Sequence, residues 1–89
     1  MNFLHSEFQL SSADVVVVTL DKQANVLLLD DSNFSDYKNG RQYTYYGGLA
    51  KQSPVRLRPP HSGHWNLVID LGGYGGTVSA STRIERNPS

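Results

Sequence analysis

The chain contains no cysteine. That absence excludes disulfides, thiolate zinc sites and cysteine nucleophiles together, and in so small a domain it favours a reducing, cytoplasmic setting over a secreted one, where covalent staples are common. An excess of either charge is missing too. Lysine plus arginine number 8 and aspartate plus glutamate 8, so the chain lacks the long-range positive field that draws proteins to nucleic acid or anionic membrane. Neither partner is expected. Long apolar runs are absent: the stretch Val15 to Val18 falls far short of the roughly 20 residues a membrane-spanning helix needs. The opening residues show no basic region, apolar region or small-residue cleavage site, so no export signal is expected. The acceptor pattern at Asn33-Phe34-Ser35 is then chemically idle. No segment has both the length and the 3.6-residue periodicity of a helix.

What is present is a rhythm of two. With 89 residues the chain can build one hydrophobic core but not two, and a single domain over 1–86 with a frayed tail at 87–89 is expected. Between frequent glycines and prolines, apolar and polar residues alternate as they do in half-buried strands. Phe3 to Leu10 reads as a first strand, and Asp14 to Leu20 as the strongest one, its β-branched side chains suiting a strand buried on both faces. The turn Asp21 to Asn25 is short enough to fold Val26 to Leu29 back as a hairpin. Asp30 to Arg41 reads as a long polar loop, Gln42 to Tyr46 as a short aromatic strand halted by Gly47-Gly48, and Pro54 to Arg58 as another short strand. Trp65, Leu67 and Ile69 should face the core. Across the turn Gly72 to Gly76, with Tyr74 at its tip, the return strand alternates Val78, Ala80, Thr82 and Ile84 with Ser79, Ser81, Arg83 and Glu85. About seven short strands at this spacing predict an all-β fold, an antiparallel β-sandwich of jelly-roll or Greek-key type, with a small barrel as the alternative.

The blocks His5-Ser-Glu-Phe8, Asp14 to Leu20, Ala24-Asn-Val26, Tyr43-Thr-Tyr-Tyr-Gly-Gly48, Ser53 to Leu57, Gly63-His-Trp65 and Asp70-Leu-Gly-Gly73 together resemble a family of small bacterial domains of unknown function. The likeness runs from about Met1 to Ile84. It implies an all-β bacterial domain, found alone or joined to partner domains that include the TIR type, with no established catalytic residues.

Several constellations bear on chemistry. His61 and His64 stand three apart in a loop bounded by proline and glycine, and with His5 or Asp70 they could supply three ligands to a divalent metal; loop histidines beside a core tryptophan more often cap the turn. Asp31 to Asp36 begins like a calcium loop, but Asp36 stands where an EF-hand needs glycine and Gln42 where it needs glutamate, so an Asx-rich turn is the simpler reading. Gly72 to Gly76 lacks the following helix that a phosphate cradle requires. No nucleophile elbow or HExxH run occurs, and Ser62, His64 and Asp70 are too close in sequence to be read as a triad. Tyr43 and Tyr45 share one strand face, as do Arg56 and Arg58, which makes an aromatic and basic surface geometrically feasible, one that could stack on sugar rings or unpaired bases or grip an anionic group. Tyrosines half-buried in packing and arginines on solvated strands are the plainer alternative.

These features predict a non-catalytic binding or adaptor module, not an enzyme. An unidentified protein or small ligand would be its partner, no cofactor is expected, and the contact region would comprise Tyr43, Tyr45, Arg56, Arg58, Asp31 and Tyr37. A self-associating module, with sheet edges pairing into a homodimer, and a histidine-based metal site with hydrolytic activity are the alternatives.

Overall fold

A computed structural model of the chain describes residues 3–72 and 76–86. Among the described residues the elements run β1 (Phe3–Leu10), β2 (Val15–Leu20), β3 (Ala24–Leu29), α1 (Asp31–Lys38), β4 (Tyr46–Ala50), β5 (Val55–Leu57), β6 (Gly63–Asp70) and β7 (Ala80–Glu85). The strands form two antiparallel sheets, ordered β1-β6-β3-β4 and β5-β2-β7. The two-residue period places alternate side chains between them. Val16 and Val18 of β2 pack with Val26 and Leu28 of β3 and with Trp65, Leu67 and Ile69 of β6 in one core. On β7, Ala80 and Ile84 pack against that core while Ser81 and Arg83 are exposed. The expected all-β sandwich is therefore the fold.

Two expected hairpins are not formed. β2 and β3 lie in different sheets, as do β6 and β7, so the turn over Asp21 to Asn25 is an arch between layers. The physical reason lies in β2 and β3 themselves: Val15 to Val18 and Val26 to Leu29 are all buried. Stacking the two strands face to face buries the inward residues of both against each other, whereas side-by-side pairing would leave each dependent on a second layer from elsewhere. The tip of the Gly72 to Gly76 turn and the tail at 87–89 lie outside the described residues.

Two further expectations are corrected. The segment read as a polar loop from Asp30 to Arg41 holds the helix α1. Gln42 to Tyr45 is not a strand; β4 begins at Tyr46 and runs through Gly47 and Gly48. Those glycines continue the strand because both adopt positive φ, +118° and +144°, and a Cβ at Gly47 would collide with the Val26 carbonyl oxygen of β3. Only glycine lets the two backbones approach this closely.

The two outer faces are covered differently. Over the four-stranded sheet, α1 lays Phe34 and Tyr37 on Leu27, Leu29 and Val68 to form a second, smaller core. On the three-stranded sheet, Val17 is only 1% exposed, although no other described element contributes to a core on that face. Strand register sets Arg56 and Arg83 on either side of Val17, and both guanidinium groups hold Glu85, at 2.6 and 2.8 Å. From these flanking positions their aliphatic stems are placed to roof the valine while the charged ends stay in water. At the corner where β7 ends, Arg86 donates to the Gln9 carbonyl at 3.0 Å and to the buried Asp14 carboxylate at 2.8 Å.

Candidate functional site

Among the described residues the face under α1 carries a dense polar network, and the helix that covers it is locally well specified. Asp30 caps its N-terminus, its Oδ1 accepting the backbone N–H of Asn33 at 2.8 Å. Asp31 in the first turn and Lys38 in the last complement the helix dipole. At the other end Gly40 has φ +71°, and the Gly40 and Arg41 amides donate to the carbonyls of Tyr37 and Asp36 at 3.4 and 2.9 Å. This is the doubly bonded Schellman termination. The Asp30 cap and the glycine ten residues later were the signals available in sequence. Phe34 and Tyr37 are the helix's only apolar residues, too few to display a periodicity.

Beneath the helix, alternate residues of β6 point outward as His64, Asn66, Val68 and Asp70. Asp70 and Asn66 are 5% and 1% exposed, and both are fully engaged. The Asp70 carboxylate accepts from the Tyr37 hydroxyl at 2.6 Å, from Asn25 Nδ2 at 2.9 Å and from the Gly72 amide at 2.8 Å. Burial, and then the bond to Asp70, push the Tyr37 phenol well above its ordinary range. Asn66 Nδ2 donates to the Leu29 carbonyl at 3.3 Å and to Asp31 Oδ1 at 2.8 Å. Its Oδ1 lies 2.9 Å from His5 Nε2, so that nitrogen carries the proton.

Asp31 joins this network to the third histidine of the chain. Its Oδ1 also lies 2.7 Å from His64 Nδ1, and Glu7 Oε1 lies 3.2 Å from His64 Nε2. The hydrogen bonds from Asn66 first, and then from His64, hold the Asp31 carboxyl below the usual carboxylate range. The carboxylates of Asp31 and Glu7 occupy opposite nitrogens of one ring, so they do not converge on a point where a metal could sit.

Aromatic rings form a continuous series across the same face. His5 stacks on Phe34 with centroids 4.1 Å apart. Phe3 meets Phe34 and Tyr37 edge-on at 6.1 and 5.3 Å. Tyr37 meets Tyr43 at 5.3 Å, and Tyr43 meets Tyr45 at 5.7 Å. The series runs from buried Tyr37 through half-buried Tyr43 to Tyr45, which is 44% exposed. Burial and the nearby Asp70 charge raise the Tyr43 phenol as well. The connection carrying Tyr43 and Tyr45 is tied to the helix, because the Thr44 amide donates to Asn33 Oδ1 at 2.7 Å. Beyond it, exposed Leu49 borders a shallow groove of about 330 Å³ with Lys22, Asn25 and Leu71.

Of the residues singled out in sequence, Asp31, Tyr37, Tyr43 and Tyr45 are thus brought together at α1. Arg56 is not with them, and Arg58 lies past the end of β5, not beside Arg56 on the strand. Arg56 lies on the outer face of the three-stranded sheet, bound to Glu85, which is held below the usual carboxylate range by Arg83 and Arg56; a single aromatic and basic surface is therefore not formed. The histidines are also separated in role. His61 packs against Trp65 at 4.9 Å, and its carbonyl accepts from the indole N–H at 3.1 Å. Among the described residues no group of three or more histidine, cysteine or acidic side chains is placed to hold a metal ion. Reading the sequence missed Asn66, Glu7 and Asn33, whose roles depend on strand register and helix capping.

The fold and this face define a two-sheet β-sandwich with one helix packed on the outside of its larger sheet. The chain belongs to the family described as "Domain of unknown function (DUF1883)", whose profile covers residues 1–88. No curated protein and no solved structure matches the chain.

Proposed function

We propose that the chain is a non-catalytic binding module, acting alone or as an adaptor, and that its contact face is the aromatic corner formed by Tyr43 and Tyr45 beside α1. One observation carries this reading. Tyr45 is held in the open by an unbroken series of ring contacts leading back to buried Tyr37, and its loop is hydrogen-bonded to the helix. An aromatic ring fixed in advance loses little conformational entropy on binding and offers an apolar face with a polar tip, the combination favoured at recognition sites. Asp31 and Tyr37 contribute as supports of the corner, not as contacts.

Capture from lysate on the immobilised protein, read by mass spectrometry, tests this. A partner retained by the native chain and by Arg56→Ala, and lost by the folded Tyr43→Ala/Tyr45→Ala variant, is the expected result. Equal retention by all three overturns it.

A second reading, self-association, is favoured by β4. It forms one edge of the four-stranded sheet, carries neither lysine nor proline within Tyr46–Ala50, and exposes Tyr46 and Leu49 by 43% and 56%. Unguarded edges of this kind invite strand pairing. Sedimentation velocity showing a monomer at high protein concentration would remove it.

A further inference from the structure

Three elements meet at one imidazole. His64 on β6 lies between Asp31 of α1, at Nδ1, and Glu7 of β1, at Nε2, at 2.7 and 3.2 Å. Both neighbours are carboxylates and can only accept: Asp31 is hydrogen-bonded to Nδ1, and Glu7 stands at ion-pair distance from Nε2. Only the imidazolium has two N–H groups; a neutral ring can satisfy one carboxylate and turns a lone pair toward the other. We infer that His64 is a pH-sensitive latch that fastens the N-terminal turn of α1 to the β1–β6 edge when protonated and loosens it when neutral. The inference rests on the reading of the Tyr43 and Tyr45 corner as the contact face, because that corner is what the latch would regulate.

The connection from latch to corner is continuous. Asp31 follows the cap residue Asp30, whose Oδ1 holds both the amide and the side-chain nitrogen of Asn33, at 2.8 and 3.0 Å. Asn33 Oδ1 in turn holds the Thr44 amide between the two tyrosines, at 2.7 Å. Slackening of the first helical turn is therefore transmitted to the loop that presents Tyr43 and Tyr45. The other ionisable groups around the latch do not replace it. His5 on β1 reaches Asn66 and stacks on Phe34, Lys38 lies over the Phe34 ring at 4.6 Å, and Asp30 is occupied with the cap.

The sign follows from the two partners. The Asp31 carboxyl is held low by its hydrogen bonds, so its contribution is present above the ordinary carboxylate range and fades as pH falls through its lowered value. On the imidazole side only the protonated ring offers two N–H donors, so the latch is closed on the acidic side and opens as pH rises.

Amide hydrogen exchange of the whole chain, corrected for intrinsic chemical rates and measured from pH 5.5 to 8.5, tests the latch without any ligand. Protection of the α1 amides and of Thr44 should fall by about two- to fivefold across that range, the scale of an exposed ion pair. The Val68 amide should show no such step. His64→Gln and Glu7→Gln are exposed substitutions, and each should flatten the α1 response while leaving Val68 unchanged. An α1 response that is flat in the native chain, or equally steep in His64→Gln, overturns the inference. A latch that responds in a chain whose Tyr43→Ala/Tyr45→Ala variant keeps every partner would sink the contact face and leave the latch standing.

Discussion

The hydroxyl of Tyr37, on the helix, donates a 2.6 Å hydrogen bond to Asp70, on a central strand of the four-stranded sheet. Both residues are buried, 6% and 5% exposed, so this contact fastens α1 to the sheet from below. Tyr37→Phe keeps the ring contacts and removes one donor from a buried carboxylate, a loss of about 1.5–3 kcal/mol. The Tyr37 phenol ionises above its ordinary value. Its stabilisation is therefore complete below the unfolded phenol's range near pH 10 and is lost as pH rises beyond it. Denaturant midpoints measured from pH 7 to 11 should decline more steeply above pH 10 in the native chain than in Tyr37→Phe.

Asn33 is the strut between helix and tyrosine loop. Asn33→Ala leaves the Asp30 side chain its backbone bond but strips the Thr44 amide of its acceptor. A stability loss of about 0.5–1.5 kcal/mol is expected, with faster hydrogen exchange concentrated at Thr44 and its neighbours. A uniform increase over the whole sheet would count against the strut.

Gly47→Ala should be far more damaging than its size suggests. The added methyl meets the Val26 carbonyl oxygen on the paired strand, at a backbone angle of +118°. Relief requires β4 to move away from β3, and a loss above about 2 kcal/mol is expected. Gly48→Ala meets no atom within 4 Å but sits at φ +144°, so it should cost conformational strain alone and be the milder of the pair. Thermal unfolding of both variants checks the order.

Val17 tests whether arginine stems can act as a core. It lies on the outward face of the three-stranded sheet yet is as inaccessible as Val16 on the inward face, 1% against 0%. Val17→Ala should therefore cost a sum comparable to Val16→Ala, about 1.5–3 kcal/mol. Chemical denaturation of the two variants gives the comparison, and a cost near zero for Val17→Ala would show the arginine roof to be loose.

How far the sequence foretold this molecule varied with the physics involved. The period of two in β6 and β7 is a direct imprint of inside and outside, and the β-branched run of β2 marks a strand buried on both faces, so the strands and the inward set Trp65, Leu67 and Ile69 were legible. Which strand lies beside which was not. Val15 to Val18 suit a sheet interior equally well whether the next strand pairs with them or stacks over them. Helix α1 was hidden because its stability comes from two caps and from Phe34 and Tyr37 settling on a sheet face. Tyr37, Tyr43, Tyr45 and Asp31 were singled out as candidate contacts, but the ring-to-ring series from Tyr37 through Tyr43 to Tyr45 was not legible. Nor was their separation from Arg56, which lies on the three-stranded sheet while Asp31 and the tyrosines gather at α1 over the other sheet, because local patterning does not encode which sheet a strand joins.

The arch between β2 and β3 has a consequence for how the chain assembles. β1 pairs with β6, and β2 finds one of its two partners in β7, so β1 stays unpaired and β2 half-paired until most of the polypeptide has been made. Such late pairing slows folding and leaves early segments uncommitted during synthesis. A fragment ending before β6 would lack Trp65, Leu67 and Ile69 from the shared core and leave β1 without its partner, and truncation should yield sticky, unstructured chains instead of a smaller version of the domain.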